Sequence, residues 1–143
     1  MAFATEMDRV ARLLAEDGVR AVIPEDIDVA AELGSQSSYN QFKRAVSRAH
    51  IAKVRDPRTI GILVINFDKH GMRSYIGPNT FAEIAVAFAD RKRIYVLNGT
   101  PNMYADELSA WGVTDLAGDL GPLVEQYRHL CRQDRSQLKL PWS

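Results

Sequence analysis

Residues 76–90 read IGPNTFAEIAVAFAD, and Glu83 is the one charged side chain between Phe81 and Ala89. A helix over this stretch is apolar nearly all round and therefore buried. A carboxylate inside it must be bonded, paired or reactive. Two readings stand side by side. Thr80-Phe81-Ala82-Glu83 fits a capping box, in which Thr80 caps the helix and Glu83 returns a hydrogen bond to the Thr80 amide. Alternatively, Glu83 is a partly desolvated carboxylate at a pocket floor, serving as nucleophile or base.

Other groups with chemical potential cluster in two loops rich in Gly, Asn, Asp and Pro, Asn66–Asn79 and Asn98–Asn102. Asp68 is a second acid or a turn residue beside Lys69. Tyr75 and Phe81 are flat enough to stack on a base, though each also suits a core or rim. Asn98-Gly99-Thr100 offers turn amides to a ribose or phosphate. His50, His70 and His129 lack metal-ligand spacing, and Cys131, the single cysteine, cannot complete a set. Neither metal nor cofactor is expected, since no dinucleotide or triphosphate glycine motif occurs either. Lys43, Arg44, Arg48, Lys53, Arg55 and Arg58 form a basic run against only Asp56, with His50 among them. It reads as a solvated helix face balanced by the acidic segment 25–32; the functional alternative is a phosphate- or RNA-contacting surface, and one basic residue reaching a nucleotide 5′-phosphate stands between the two.

The elements that must position these groups alternate in type. Residues 4–17 form an amphipathic helix stopped by Gly18, and VRAVI at 19–23 reads as a short strand ended by Pro24. Residues 24–38 read as a loop, followed by a helix from Tyr39 to Val54. IGILVINF, Ile60 to Phe67, is a continuous apolar run of strand length, the mark of a parallel strand covered on both faces. After the helix carrying Glu83 come a strand at Ile94–Leu97, a helix through Leu108 and Trp111, a short strand near Val113–Leu116 and a helix from Leu120 to Arg132. A polar tail occupies 133–143. This alternation predicts one α/β domain over 1–143 with a mostly parallel, flavodoxin-like sheet and helices on both faces. In such sheets ligands bind beyond the carboxyl ends of the strands, where both loops lie. The opening directly on a helix, rather than on a strand, suggests a start one strand late.

The run ILVINFDK, YIGPNTFAEIAVAFA and RKRIYVLN resembles the nucleoside 2-deoxyribosyltransferase superfamily, which includes nucleotide N-glycoside hydrolases. Similarity extends back through LLAEDGVRAVIPED, covering roughly residues 1 to 120. The resemblance implies that Glu83 is the nucleophile that attacks the anomeric carbon of a (deoxy)ribosyl group and forms a glycosyl ester, resolved by water or a second base. Asn66 and Asp68 both suit the acid that follows the first apolar strand, and Asp68 is the choice for acid or base-binding group. The resemblance places Asn66, Tyr75, Gly77, Asn79, Thr80 and Asn98 around the substrate, a nucleoside or nucleoside 5′-monophosphate. It also implies a homo-oligomer, with Trp111, Tyr127 and Trp142 as contact candidates. The family's acid three residues before the threonine is Gly77 here, and its glycine before the threonine is Asn79. Gly77 favours the competing reading of a non-catalytic nucleotide-binding or interaction protein on the same fold.

The 18 basic and 18 acidic residues cancel, so no charge excess calls for nucleic acid or a membrane surface as partner. No apolar run reaches the roughly 18 residues of a membrane span. A single cysteine and no leader-like start predict a cytoplasmic protein.

Overall fold

The structure, a computed structural model, describes residues 3–23 and 34–139, the side chains of 132–139 excepted. Its elements are α1 (Ala4–Glu16), α2 (Gln36–Arg55), β1 (Gly61–Val64), α3 (Pro78–Ala89), β2 (Arg93–Val96), a 3-10 turn (Asn102–Tyr104), α4 (Ala105–Ala110), β3 (Thr114–Asp115) and α5 (Gly121–Lys139).

The three strands form one parallel sheet in the order β1-β2-β3, with Ile62 beside Ile94, Val64 beside Val96, and Tyr95 beside Thr114. Because side chains alternate across a strand, each strand feeds two cores. Val64, Ile94 and Val96 pack with Val54 of α2, Ile84 and Ala87 of α3, and Leu108 of α4. On the opposite face Ile65, Tyr95 and Leu97 pack with Val10 and Leu14 of α1 and Leu123 and Val124 of α5. The sheet is thus sandwiched between helices, as the apolar run from Ile60 to Phe67 predicts. Ile84, Val96 and Leu108 are fully buried, and burial of each such side chain contributes roughly 1.5–3 kcal/mol. Gly61 has a steric role, because a Cβ there would stand 2.7 Å from the Arg93 carbonyl oxygen.

Helix α1 buries Val10 and Leu14, one turn apart. Gly18, at φ 79°, then turns the chain so that the Val19 amide donates to the Leu14 carbonyl at 2.9 Å, a helix stop that suits a residue without Cβ. Residues 19–23 are not the expected strand; they run outside the sheet. Val19 is buried in the core, whereas Val22 is 65% exposed. A strand exists through a pairing partner, and here both VRAVI and β1 border an open cleft instead. Helix α2 starts earlier than Tyr39 because Ser35 caps it, accepting from the Ser38 amide at 3.1 Å. The rest of the expected loop, 24–33, lies outside the described residues, as does the acidic counterweight to the basic run.

Candidate functional site

The carboxyl end of β1 is tied to that of β2 by one buried amide. Asn66 is completely buried. Its Nδ2 contacts the carbonyl oxygens of Gly99, Ser74 and Asn98 at 2.9, 3.2 and 3.3 Å, and its Oδ1 accepts from the Asn98 amide at 3.0 Å. Asn98 Nδ2 in turn donates to the Asn66 carbonyl at 2.9 Å. The loop from Phe67 to Tyr75 folds back on itself through a two-residue turn at His70-Gly71, both at positive φ. Asp68, an exposed residue, closes that loop by accepting from the Ser74 amide at 2.9 Å.

Helix α3 starts at Pro78, with Gly77 as its N-cap. Proline fits the first helical position because its missing N–H would have no partner there. Thr80 is therefore the third helical residue and Glu83 the sixth, so the Thr80–Glu83 capping box does not form and no acid stands in the first turn. The helix dipole, felt mainly in that first turn, gives Glu83 little support. Glu83 instead lines a cleft of about 850 Å³ that runs along β1 between α1 and α5 on one side and α2 and α3 on the other.

Across the cleft wall stands His50 of α2, with Nδ1 3.8 Å from Glu83 Oε1; the side chains are 20% and 28% exposed. That separation exceeds a hydrogen bond. Burial pushes the Glu83 carboxyl above its ordinary 4.5. Burial foremost, and then the nearby Lys53 ammonium, holds His50 below its ordinary 6.5. The two pKa values thus shift toward each other from opposite sides. Desolvation disfavours charge on each.

Of the residues singled out from sequence, Tyr75, Gly77, Asn79, Thr80 and Glu83 line this one cleft. Asn66, Asp68 and Asn98 do not. Asn66 has its amide consumed by backbone, Asp68 serves its own turn, and Asn98 completes the Asn66 latch. Phe81 stacks on Tyr104 at 4.1 Å between ring centroids, which commits it to the α3–α4 contact. Trp111 stacks on Phe88 in the same layer at 5.0 Å, Tyr127 borders the cleft, and Trp142 lies outside the described residues. Within the basic run, Arg55 pairs with Asp90 and Arg58 with Asp56, while Lys53 and Arg58 reach the cleft. Asp56 is held well below the usual carboxylate range by hydrogen bonds from Arg58.

His50 is the group that sequence reasoning set among surface charges. Its signal was spacing: Val46, His50 and Val54 recur every four residues and share one helix face. Among the described residues no cluster of His, Cys, Asp or Glu is suited to a metal ion, and no helix is long and apolar enough to cross a membrane. Comparison with protein-family models, curated proteins and solved structures returns no match for this chain.

Proposed function

We propose that this protein cleaves or transfers at the N-glycosidic bond of a nucleoside or nucleoside 5′-monophosphate, with Glu83 as nucleophile. The observation that carries the reading is a half-buried carboxylate that caps nothing, lines a substrate-sized cleft and has a histidine as its near neighbour. The cleft volume lies in the range of small-molecule sites. In the first step a Glu83 oxygen bonds to the anomeric carbon as the carbon–nitrogen bond breaks. The bonding pair leaves with the base, which takes a proton from solvent. In the second step water, giving its proton to neutral His50, hydrolyses the ester; a second base in place of water makes the reaction a transfer. Tyr75 offers a stacking face to the base, and Asn79 a hydrogen-bonding amide beside Thr80.

The experiment is base release from a panel of nucleosides and their 5′-monophosphates, followed by chromatography, for the protein and for Glu83→Ala and Glu83→Gln. Release by the parent that both variants lose, while remaining folded, supports the reading. A competing reading, a non-catalytic nucleotide-binding protein, draws on the absence, among the described residues, of a second available acid in the cleft: position 77 is glycine, Asp68 is outside the cleft and Asp56 is bound to Arg58. Saturable nucleotide binding without base release, unaffected by Glu83→Gln, decides for it.

A further inference from the structure

We propose that Asn98-Gly99 is a self-modification site, a latent asparagine-to-aspartate conversion that the Asn66 latch and Asp115 hold unreactive and whose completion unlocks the loop leading to Tyr75. Asn98 is the chain's one asparagine followed by glycine. Glycine presents a backbone nitrogen with no neighbouring Cβ to shield it, so this pair can close a succinimide ring. In that reaction the Gly99 nitrogen bonds to Asn98 Cγ, the Cγ–Nδ2 bond breaks, and the proton shed by the Gly99 nitrogen leaves on ammonia. Water then opens the ring to aspartate or isoaspartate.

Both reacting groups are engaged elsewhere in the fold. The Gly99 amide donates to Asp115 Oδ1 at 2.8 Å, and the same oxygen accepts from the Ala117 amide at 2.9 Å. The attacking amide must lose its proton, and a carboxylate beside it opposes negative charge on that nitrogen. Asn98 Nδ2 is pinned to the Asn66 carbonyl at 2.9 Å, while Asn66 Oδ1 and Nδ2 hold the Asn98 amide and the Gly99 carbonyl at 3.0 and 2.9 Å. Ring closure therefore requires a local opening that breaks these bonds together. Once formed, an aspartate here has no proton to give the Asn66 carbonyl and sets a carboxylate against it. The bond from Asn66 to the Ser74 carbonyl, next to Tyr75, then loses its anchor. None of these groups lines the cleft, so the site stands independently of any reaction at Glu83.

The test incubates the whole chain at mildly alkaline pH, native and in urea, and follows Asn98 by peptide mass spectrometry. Conversion in the native chain should be at least ~100-fold slower than in urea, as befits several coupled hydrogen bonds. Rates are corrected for the unfolded fraction read by urea denaturation. Asn66→Ala and Asp115→Ala should each raise the native rate at least ~10-fold, about 1.4 kcal/mol. Leu108→Ala, which weakens the core between α4 and the sheet instead, should leave it unchanged. Asn98→Asp, which mimics the product, should exchange its Ser74 and Tyr75 amides at least ~10-fold faster than the parent. Equal rates in native and denatured chains overturn the proposal, as does Leu108→Ala converting as fast as Asn66→Ala. Slower conversion in Asp115→Ala overturns it too, by making that carboxylate a base that promotes the reaction, and unchanged exchange in Asn98→Asp refutes the unlocking.

Discussion

Replacing Asn66 by alanine removes the latch that holds the two loops of the site together. The Asn66 amide has two protons, shared among the carbonyls of Gly99, Ser74 and Asn98, and one acceptor used by the Asn98 amide. Counting three effective bonds at ~1 kcal/mol each gives a loss of about 3 kcal/mol. With an unfolding entropy of ~2.1 cal/mol/K per residue over 143 residues, this corresponds to a fall of about 10 °C in Tm. Asn66→Asp is the sharper test, because it keeps the shape while turning a carboxylate toward three carbonyl oxygens. The folded state then favours the protonated acid, so the pKa of the new carboxyl lies above its unfolded value of ~3.9. The contribution of that proton is fully present below ~3.9 and is lost as pH rises through the folded value. Asn66→Asp should therefore be less stable than Asn66→Ala at pH 7 and recover relative to it at pH 4. Urea denaturation at both pH values measures this. A loss under ~1 kcal/mol for Asn66→Ala, or an Asn66→Asp protein at pH 7 as stable as the alanine variant, refutes the latch, since either outcome is below one buried bond.

Glu83→Gln should raise thermal stability at neutral pH, because burial has pushed the Glu83 pKa up. The favourable contribution of protonated Glu83 is complete below 4.5 and disappears as pH rises through the raised value, so the gain should vanish at low pH; calorimetry from pH 4 to 8 checks it. If Glu83 is the nucleophile, base release should climb with pH through that same raised value, and a flat pH–rate profile from 4 to 8 counts against ionised Glu83 as the reacting form. Gly61→Ala places a methyl 2.7 Å from the Arg93 carbonyl and should separate β1 from β2, costing roughly 1–3 kcal/mol as an overpacked site, read by urea midpoint. Leu108→Ala, at a fully buried position between α4 and the sheet, should cost about 2–5 kcal/mol. Arg58→Ala should leave the urea midpoint almost unchanged despite its 2.8 Å contact with Asp56, because both groups are solvated and exposed pairs contribute little.

The layers were legible because strand burial leaves a strong imprint: IGILVINF has no polar residue to assign to a solvated face until Asn66. Gly18 stopped its helix for a local reason that needs no tertiary knowledge, the positive φ at which it sits. The start of α3 was misread for an equally local reason. Pro78 takes the first helical position ahead of Thr80, and that shift moves Glu83 from the first turn into the second. VRAVI has strand composition, but pairing is a property of neighbours, and sequence composition does not say whether a neighbour stands beside it. Asp68 and Asn66 were attractive because they sit where an open parallel sheet binds ligands. The same place requires groups that bind the loops to one another, and only the hydrogen-bond partners distinguish the two jobs. His50 escaped because six cations nearby in sequence drew it into a surface reading, although its four-residue spacing from Val46 and Val54 put it on the apolar side of α2.

What makes Glu83 informative is the lack of any structural gain from its charge. It neither caps α3 nor lies close enough to His50 for a hydrogen bond, and its carboxyl is driven toward the neutral form by its surroundings. A glutamine or methionine would fill that wall without the desolvation penalty. The same burial lowers the basicity of His50, so the free energy separating protonated Glu83 with neutral His50 from ionised Glu83 with protonated His50 is smaller than for the two groups in water. A site in which a carboxylate must lose a proton to attack and a neighbour must accept one from water benefits from that narrowing. The chemistry proposed here therefore predicts coupling. His50→Asn should slow resolution of the glycosyl ester more than its formation, and so accumulate ester on Glu83 in intact-protein mass spectra after rapid quench. Equal slowing of both steps, with no ester, would place His50 in substrate positioning rather than in proton transfer.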